Sequence, residues 1–405
     1  MLLYWIWYAT LPESAVGQKA ALLQAFPSPE DIYHASTDRL QAIEGIDAGF
    51  LEILEQKELD SAEKILAQCG KLGIRVLTFQ DARYPKRLRN IADPPMVLYY
   101  KGTLPDFDSM PTISVVGTRG ASAYGLTVAR RLGMEIAAGG GLVISGCAAG
   151  IDAMAMEGAL SANTAVAGIL GGGVDIVYPK ANRPLFDALP EKGCLLSEYP
   201  PGTPPLKWNF PRRNRILSGI ASGVLVVEAP AKSGALITAR HALEQGRDVF
   251  VVPGNIDVIS CEGSNALLRE GATAVRSGWD ILQEYEALYP GKLRNPGVAK
   301  LPAKPLSFVA QTVVLPQTPE KTEAGKDRKD IDNGENSHYS VLNDPSSGLT
   351  EEELAIVKRL GQEPRPVDEI IAETALPTAA VLSMLTRLTL KGIVRNHPGK
   401  RISLK

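Results

Sequence analysis

Residues suited to metal or redox chemistry are scarce, with four cysteines and four histidines in 405 residues. Cys69, Cys147, Cys194 and Cys261 stand far apart and form no CxxC pair, which speaks against a zinc site or a disulfide framework and fits a reducing, cytoplasmic compartment. Among His34, His241, His338 and His397 no Ser/His/Asp spacing and no metal cluster is visible, and a GxxxxGK[ST] phosphate loop is missing. The apolar opening, MLLYWIWYATLPE, has neither a basic start nor a small-residue cleavage site, and Pro12-Glu13 ends it well short of the roughly 20 residues a membrane span needs. It reads as a buried first helix. Charge of one sign is not in excess either: 43 Lys+Arg against 45 Asp+Glu give a net charge of -2. A site for a polyanion would have to be a local basic surface. No cofactor, no metal and no membrane partner is expected.

What is present suggests two or three domains. Residues 1–80 read as a small helical domain of short helices separated by FPSPEDI, EGID and KLGI. Within it LQAIEGID (Leu40 to Asp47) is either the phosphate-meeting turn of a helix-hairpin-helix or a plain structural turn; Asp47, where that motif has glycine, would repel phosphate. Over 81–290 the apolar runs TISVVGT, GLVISG, TAVAGILGGG, GCLLSEY, SGVLVVEA and RDVFVVPG alternate with helical stretches. Runs buried on both faces with helices between them indicate an α/β fold, a parallel sheet with crossover connections whose ligands bind at the carboxyl ends of the strands. Residues 291–348, proline- and charge-rich, read as a disordered linker. Over 349–405 three short helices and a basic hairpin make a winged-helix pattern, with Val381, Leu382, Leu385 and Leu388 on one helix face. Six Lys/Arg and no acid from Val381 onward suit a polyanion, an acidic partner or a merely solvated face.

Chemistry should lie in the strand-end loops. VVGTRGASAYG has Arg119 where a dinucleotide fingerprint needs its second glycine, so it offers instead helix amides, the Thr118 and Ser122 hydroxyls and a guanidinium, an anion site. In SGCAAGIDAMAMEGAL, Asp152 is either a helix cap or a functional acid. LGGGVDIVYPKANRPLF contributes Tyr178, Lys180 and Asn182; EAPAKSGALITARHALEQGR turns at Ser233-Gly234. KWNFPRRNRILSG concentrates Lys207, Trp208, Phe210, Arg212, Arg213 and Arg215. Cations neutralise phosphates and aromatic faces stack unpaired bases, so the set suits single-stranded nucleic acid. Trp208 and Phe210 would share a face along an extended segment, or serve as core. Of the acids Asp152, Asp175, Glu198 and Glu228, Glu228 is expected to orient arginines of the basic stretch.

These segments, together with YPKRLRNIADPPMVLYYKGTL and GSNALLREGA, occur in an order that resembles the DNA-processing protein A (DprA, or Smf) family over roughly residues 84–275. The helical N-terminal part, SAM- or helix-hairpin-helix-like, and the winged helix are similar to those of members carrying both appendages. The resemblance implies an extended Rossmann domain that binds and protects single-stranded DNA without strong sequence preference. It also implies a homodimer that loads the RecA recombinase during natural transformation and homologous recombination, and no enzymatic activity. The resemblance places the family's DNA-contacting arginine on Arg119 and its pocket lysine and aromatic on Lys207 and Phe210, with Ser145 and the surrounding glycines shaping the pocket wall. Together with the loop reading, the expected DNA contacts are Gly117, Thr118, Arg119, Ser145, Gly146, Gly150, Tyr178, Lys180, Asn182, Lys207, Phe210, Arg212, Arg213, Asn214, Ser233 and Gly234. One departure is Met156, where the family usually has histidine. The alternative, a nucleotide-handling enzyme of the related phosphoribohydrolase-like group, would need a PGGxGTxxE loop, of which Glu228 and Ser233-Gly234 keep only an echo.

Overall fold

A computed structural model describes residues 1–298 and, toward the C-terminus, 351–357, 359–361, 363–374, 381, 384, 385, 388, 393–397 and 401–404. The linker expected over 291–348 lies outside the described residues from 299 onward. The chain divides into two compact units, Met1–Thr318 and Pro319–Lys405.

In the first unit six helices come first: α1 (Leu2–Thr10), α2 (Val16–Ala25), α3 (Pro29–His34), α4 (Thr37–Gln41), α5 (Ala48–Gln56) and α6 (Asp60–Leu72). The apolar opening is indeed a helix, with Trp5, Ile6, Trp7 and Tyr8 buried. The LQAIEGID turn is structural. Its Asp47 carboxylate accepts the Phe50 amide at 2.8 Å and the Gln18 side-chain amide at 2.8 Å, so the amide end that would meet a phosphate is capped from within.

The chain then enters a nine-stranded sheet whose first two strands precede TISVVGT, the first apolar run of the sequence pattern, and of these the first lies before residue 81. β1 (Arg75–Thr78), α7 (Lys86–Arg89) and β2 (Val97–Gly102) lead into β3 (Thr112–Val116), α8 (Ala123–Ala138), β4 (Leu142–Ser145), α9 (Ile151–Ser161), β5 (Val166–Leu170), α10 (Arg183–Lys192) and β6 (Cys194–Ser197). α11 (Asn209–Ile220), β7 (Gly223–Val226), α12 (Gly234–Glu244), β8 (Asp248–Val251), α13 (Glu262–Arg269), β9 (Thr273–Ala274) and α14 (Gly278–Leu282) complete it. The strand order is β1-β2-β6-β5-β4-β3-β7-β8-β9. β1 and β2 pair antiparallel, β2 joins β6 antiparallel, and every pairing from β6 to β9 is parallel.

Alternation along the strands fills both faces. Ile113, Val115, Val143 and Leu225 face a core shared with α8, α9 and α14, whereas Val116, Ile144, Val224 and Val226 face one shared with α11 and α12. Each such aliphatic, fully buried, stabilises by about 1.5–3 kcal/mol. The crossover from β3 leads to β4 on one side and that from β7 leads to β8 on the other, so the loops leaving these two adjacent strands diverge. Parallel sheets open a crevice at such a reversal.

The second unit contains α15 (Glu351–Val357), β10 (Arg365–Pro366), α16 (Val367–Thr374), β11 (Val394–His397) and β12 (Arg401–Leu404), in a sheet ordered β10-β12-β11. Ile356, Ile370, Val381, Leu385, Leu388 and Ile402 share its core, while Leu382 lies outside the described residues. Among the described residues no helix is long and apolar enough to cross a membrane, and all four cysteines are free and buried.

Candidate nucleic-acid interface

A cleft of about 580 Å³ opens at the carboxyl ends of β3 and β7, where their connections part. The loop after β3 supplies Gly117, Thr118 and Arg119; the turn into α9 supplies Ala148 and Asp152; Tyr178 comes from the segment after β5. Pro230, Lys232, Ser233 and Gly234 close it from the β7 side. The remaining wall is Lys207 followed by Phe210, Arg213, Asn214 and Leu217 of α11. Those last four stand at i, i+3, i+4 and i+7, one face of a helix.

Buried polar groups hold this wall in place. Arg213 donates from one guanidinium nitrogen to the Gly146 carbonyl at 3.0 Å and to the Ile169 carbonyl, tying α11 to the ends of β4 and β5. Its guanidinium fits against Gly146, where a Cβ would overlap it. Asp152 accepts the Gly146 amide at 3.1 Å and the Ala148 amide at 3.4 Å, and its charge attracts Arg213. Burial raises the Asp152 pKa and lowers that of Arg213, because each loses hydration when charged. Gly150, at φ +81°, brings this turn against the Thr118 and Arg119 carbonyls, where a side chain would collide.

Above that floor the cleft is cationic. Arg119, Lys207 and Lys232 are exposed at its rim and make no ion pair among the described residues. The Arg119 guanidinium lies 5.3 Å from the Phe210 ring centre, Arg213 lies 6.0 Å from it, and the Tyr178 ring lies 5.6 Å away, tilted by 39°. Cations for phosphates thus surround aromatic surface for bases.

The sequence model of the family described as DNA recombination-mediator protein A matches residues 75–286, and the DprA winged helix domain matches 342–400. Protein Smf of Synechocystis sp. is 33% identical over 98% of this chain and 97% of its own length. The chain belongs to the DNA recombination-mediator protein A family. DNA processing protein DprA of Bacillus subtilis is 42% identical over 55% of this chain and 74% of its own. The X-ray structure of DNA processing protein A from Streptococcus pneumoniae, 34% identical, superposes with a TM-score of 0.61 over 69% of this chain and 96% of that one.

In this member of the family the structure separates the expected contact residues into two groups. Gly117, Thr118, Arg119, Tyr178, Lys207, Phe210, Arg213, Asn214, Ser233 and Gly234 line the cleft. Ser145, Gly146, Gly150, Lys180, Asn182 and Arg212 are not part of its lining. Ser145 donates to the Val115 carbonyl at 2.6 Å and joins β4 to β3, and Asn182 is buried, donating to the Cys147 and Ala148 carbonyls at 3.0 and 3.1 Å. Lys180 is exposed in the turn beyond Tyr178. Arg212 pairs with Glu198 at 3.5 Å on the far side of α11, beside Arg215, which bridges Glu198 at 2.6 Å and Asp93 at 3.0 Å.

Four expectations are corrected. KWNFPRRNRILSG is helical from Asn209, not extended, so Trp208 and Phe210 do not share a face: Trp208 is exposed while Phe210 is half-buried in the cleft. Glu228 does not orient the arginines of that stretch. Fully buried, it accepts the Ser122 amide at 3.1 Å, the Ser122 hydroxyl at 3.0 Å and the Ser260 hydroxyl. It thereby fills the N-terminus of α8, where Ser122 and the helix amides were expected to hold an anion; of that set Thr118 and Arg119 face the cleft. Asp152 does not cap its own helix, since Gly150 occupies that position and the carboxylate turns back onto the β4 loop. Met156, in the place of the family's usual histidine, is buried with its sulfur 3.8 Å from that of Cys147.

Lys232 was missed. Its signal was present in EAPAKSG, a lysine in a strand-end loop, but only the divergence of the β3 and β7 connections brings that loop into the lining of the same cleft as Lys207.

Proposed function

We propose that the protein binds single-stranded DNA in this cleft without strong sequence preference. The observation that carries the reading is the trio Arg119, Lys207 and Lys232 set around the Tyr178–Phe210 pair: three cations with no carboxylate to neutralise them among the described residues. Phosphates would take the cations, and unpaired bases would meet the aromatic rings and the Arg119 guanidinium, a recognition mode every base satisfies. Family membership in the recombination mediators supports extending the reading. The protein would act in the cytoplasm as a homodimer, shield incoming single strands and hand them to RecA in transformation and recombination, carrying out no chemistry on the strand itself. Against a nucleotide-hydrolysing role stands Glu228, whose carboxylate occupies the α8 N-terminus that a pyrophosphate would need. The test is a fluorescence titration with labelled oligo-dT beside the matching duplex at low and moderate salt. Tight, salt-sensitive preference for the single strand is expected; equal affinity for both, or none for either, would reject the proposal.

A further inference from the structure

Resting on the single-strand reading above, we propose that Trp208 is a separate base-stacking site outside the cleft, which lengthens the strand the protein holds. Trp208 is 70% exposed, whereas Trp5 and Trp7 are buried and Trp279 packs on the core. No ring, cation or hydrogen-bond contact of the Trp208 side chain occurs among the described residues. The fold holds the backbone beneath it and leaves the indole open. Asn209, next in the chain, is buried and donates from its side chain to the Gly171 carbonyl at 3.0 Å and the Pro204 carbonyl at 3.4 Å. The Asn209 amide donates to the Leu206 carbonyl at 3.0 Å, and the Gly173 amide to the Thr203 carbonyl at 2.9 Å. A ring carried on backbone already ordered loses little freedom when a base lands on it.

Inside the cleft the aromatic surface is partly used. Phe210 is half-buried against Gly171, with the Arg119 and Arg213 guanidiniums within 6.0 Å of its ring centre. Bases there meet Tyr178 and Arg119, while the most exposed aromatic ring of this loop is the Trp208 indole. Lys207 lines the cleft and Trp208 is the next residue in the chain, its indole outside the lining, so the ring stands at the edge of the cleft where a strand longer than the cleft would continue. Stacking on an aromatic face and phosphate neutralisation at the adjacent lysine are the two elements of sequence-tolerant single-strand binding.

The test compares the full chain with Trp208→Ala and Trp208→Phe, titrated with oligo-dT of about 5 and about 20 nucleotides, near the lower limit and beyond the upper limit of typical single-strand sites. Trp208→Ala is expected to weaken the longer oligonucleotide about 5- to 140-fold, the range of one lost base stack, and to leave the shorter one and the circular dichroism spectrum unchanged. Trp208→Phe should restore most of the affinity. Wild-type tryptophan emission should be quenched by the longer strand, and that quenching should vanish in Trp208→Phe although anisotropy still reports binding. Wild-type affinity of Trp208→Ala for both lengths, or quenching that survives in Trp208→Phe, would overturn the inference. So would a shift in sedimentation of the free protein with DNA binding unaltered, which would assign the indole to a protein contact. If Lys207→Ala weakens binding while Trp208→Ala does not, the stacking inference fails alone; if the wild-type chain binds no single strand, the cleft reading fails with it.

Discussion

Replacing Lys207 by alanine removes one ammonium from the rim of the cleft and disturbs no ion pair, since Lys207 is exposed and makes none among the described residues. Its consequence for DNA binding can be counted. Each phosphate neutralised on a single strand contributes about -0.7 to the slope of log affinity against log salt. With Arg119, Lys207 and Lys232 each taking one phosphate, the cleft alone gives a slope of about -2, roughly a 20-fold loss of affinity between 50 and 200 mM salt. Lys207→Ala should bring the slope to about -1.4, and Arg119→Ala,Lys207→Ala to about -0.7. Each single substitution should weaken binding at fixed salt by about 1–3 kcal/mol, the range of a charge-assisted contact. Arg212→Gln is the internal control: its guanidinium is turned to Glu198 behind α11, so the slope should stay at the wild-type value. The assay is anisotropy of labelled oligo-dT at four or more salt concentrations. A slope that does not change in Lys207→Ala, or that changes as much in Arg212→Gln, would refute the assignment of the cleft.

Arg215, almost wholly buried between Glu198 and Asp93, should be sensitive to loss of its charge: Arg215→Met takes the ion-pair partner from Asp93 and leaves Glu198 with Arg212 alone, and should cost about 3 kcal/mol in urea unfolding, whereas Arg212→Gln at the edge of the same cluster should cost clearly less. Burial holds the Asp152 carboxyl above the usual carboxylate range against the attraction of Arg213. The folded chain therefore binds that proton more tightly than the unfolded one, and this stabilising contribution, full below about pH 4, is lost as pH rises through the raised folded value. Asp152→Asn should flatten that part of the stability curve, measured by denaturation at a series of pH values. Deleting residues 349–405 should leave oligo-dT affinity of the cleft unchanged, because its lining comes entirely from the first unit; complete loss of binding by the truncated chain would place the main site in the second unit.

Much of the fold could be read from local pattern. Strands β3 to β8 announce themselves as Val/Ile/Leu runs ending at glycine or a small residue, because a strand buried on both faces has no polar alternation to hide it. β1 and β2 did not, since RVLT is an edge strand that buries only Leu77 fully and VLYYKG carries two tyrosines that gain their meaning only by pairing with β6. The candidate site was legible as residue types and not as directions. KWNFPRRNRILSG showed its cations, but whether Arg212 or Arg213 faced the cleft depended on the segment being helical from Asn209. A helix sends 210, 213, 214 and 217 one way and 212 and 215 the other.

The sequence by itself determined the parallel α/β core, the winged-helix pattern and the strand-end loops in which charge and aromatic surface collect, because these follow from periodicity and from residue chemistry along a few neighbouring positions. Only the tertiary structure decided which charges remain open to a ligand. Glu228 and Asp152 look like site acids in the chain, yet one closes the α8 N-terminus because Ser122 and Ser260, distant in sequence, reach it, and the other turns back onto the amides of its own β4 loop beside the distant Arg213. Arg119, Lys207 and Lys232 remain uncommitted for the opposite reason: at the rim where the β3 and β7 connections diverge, the fold brings no carboxylate into a pair with them among the described residues.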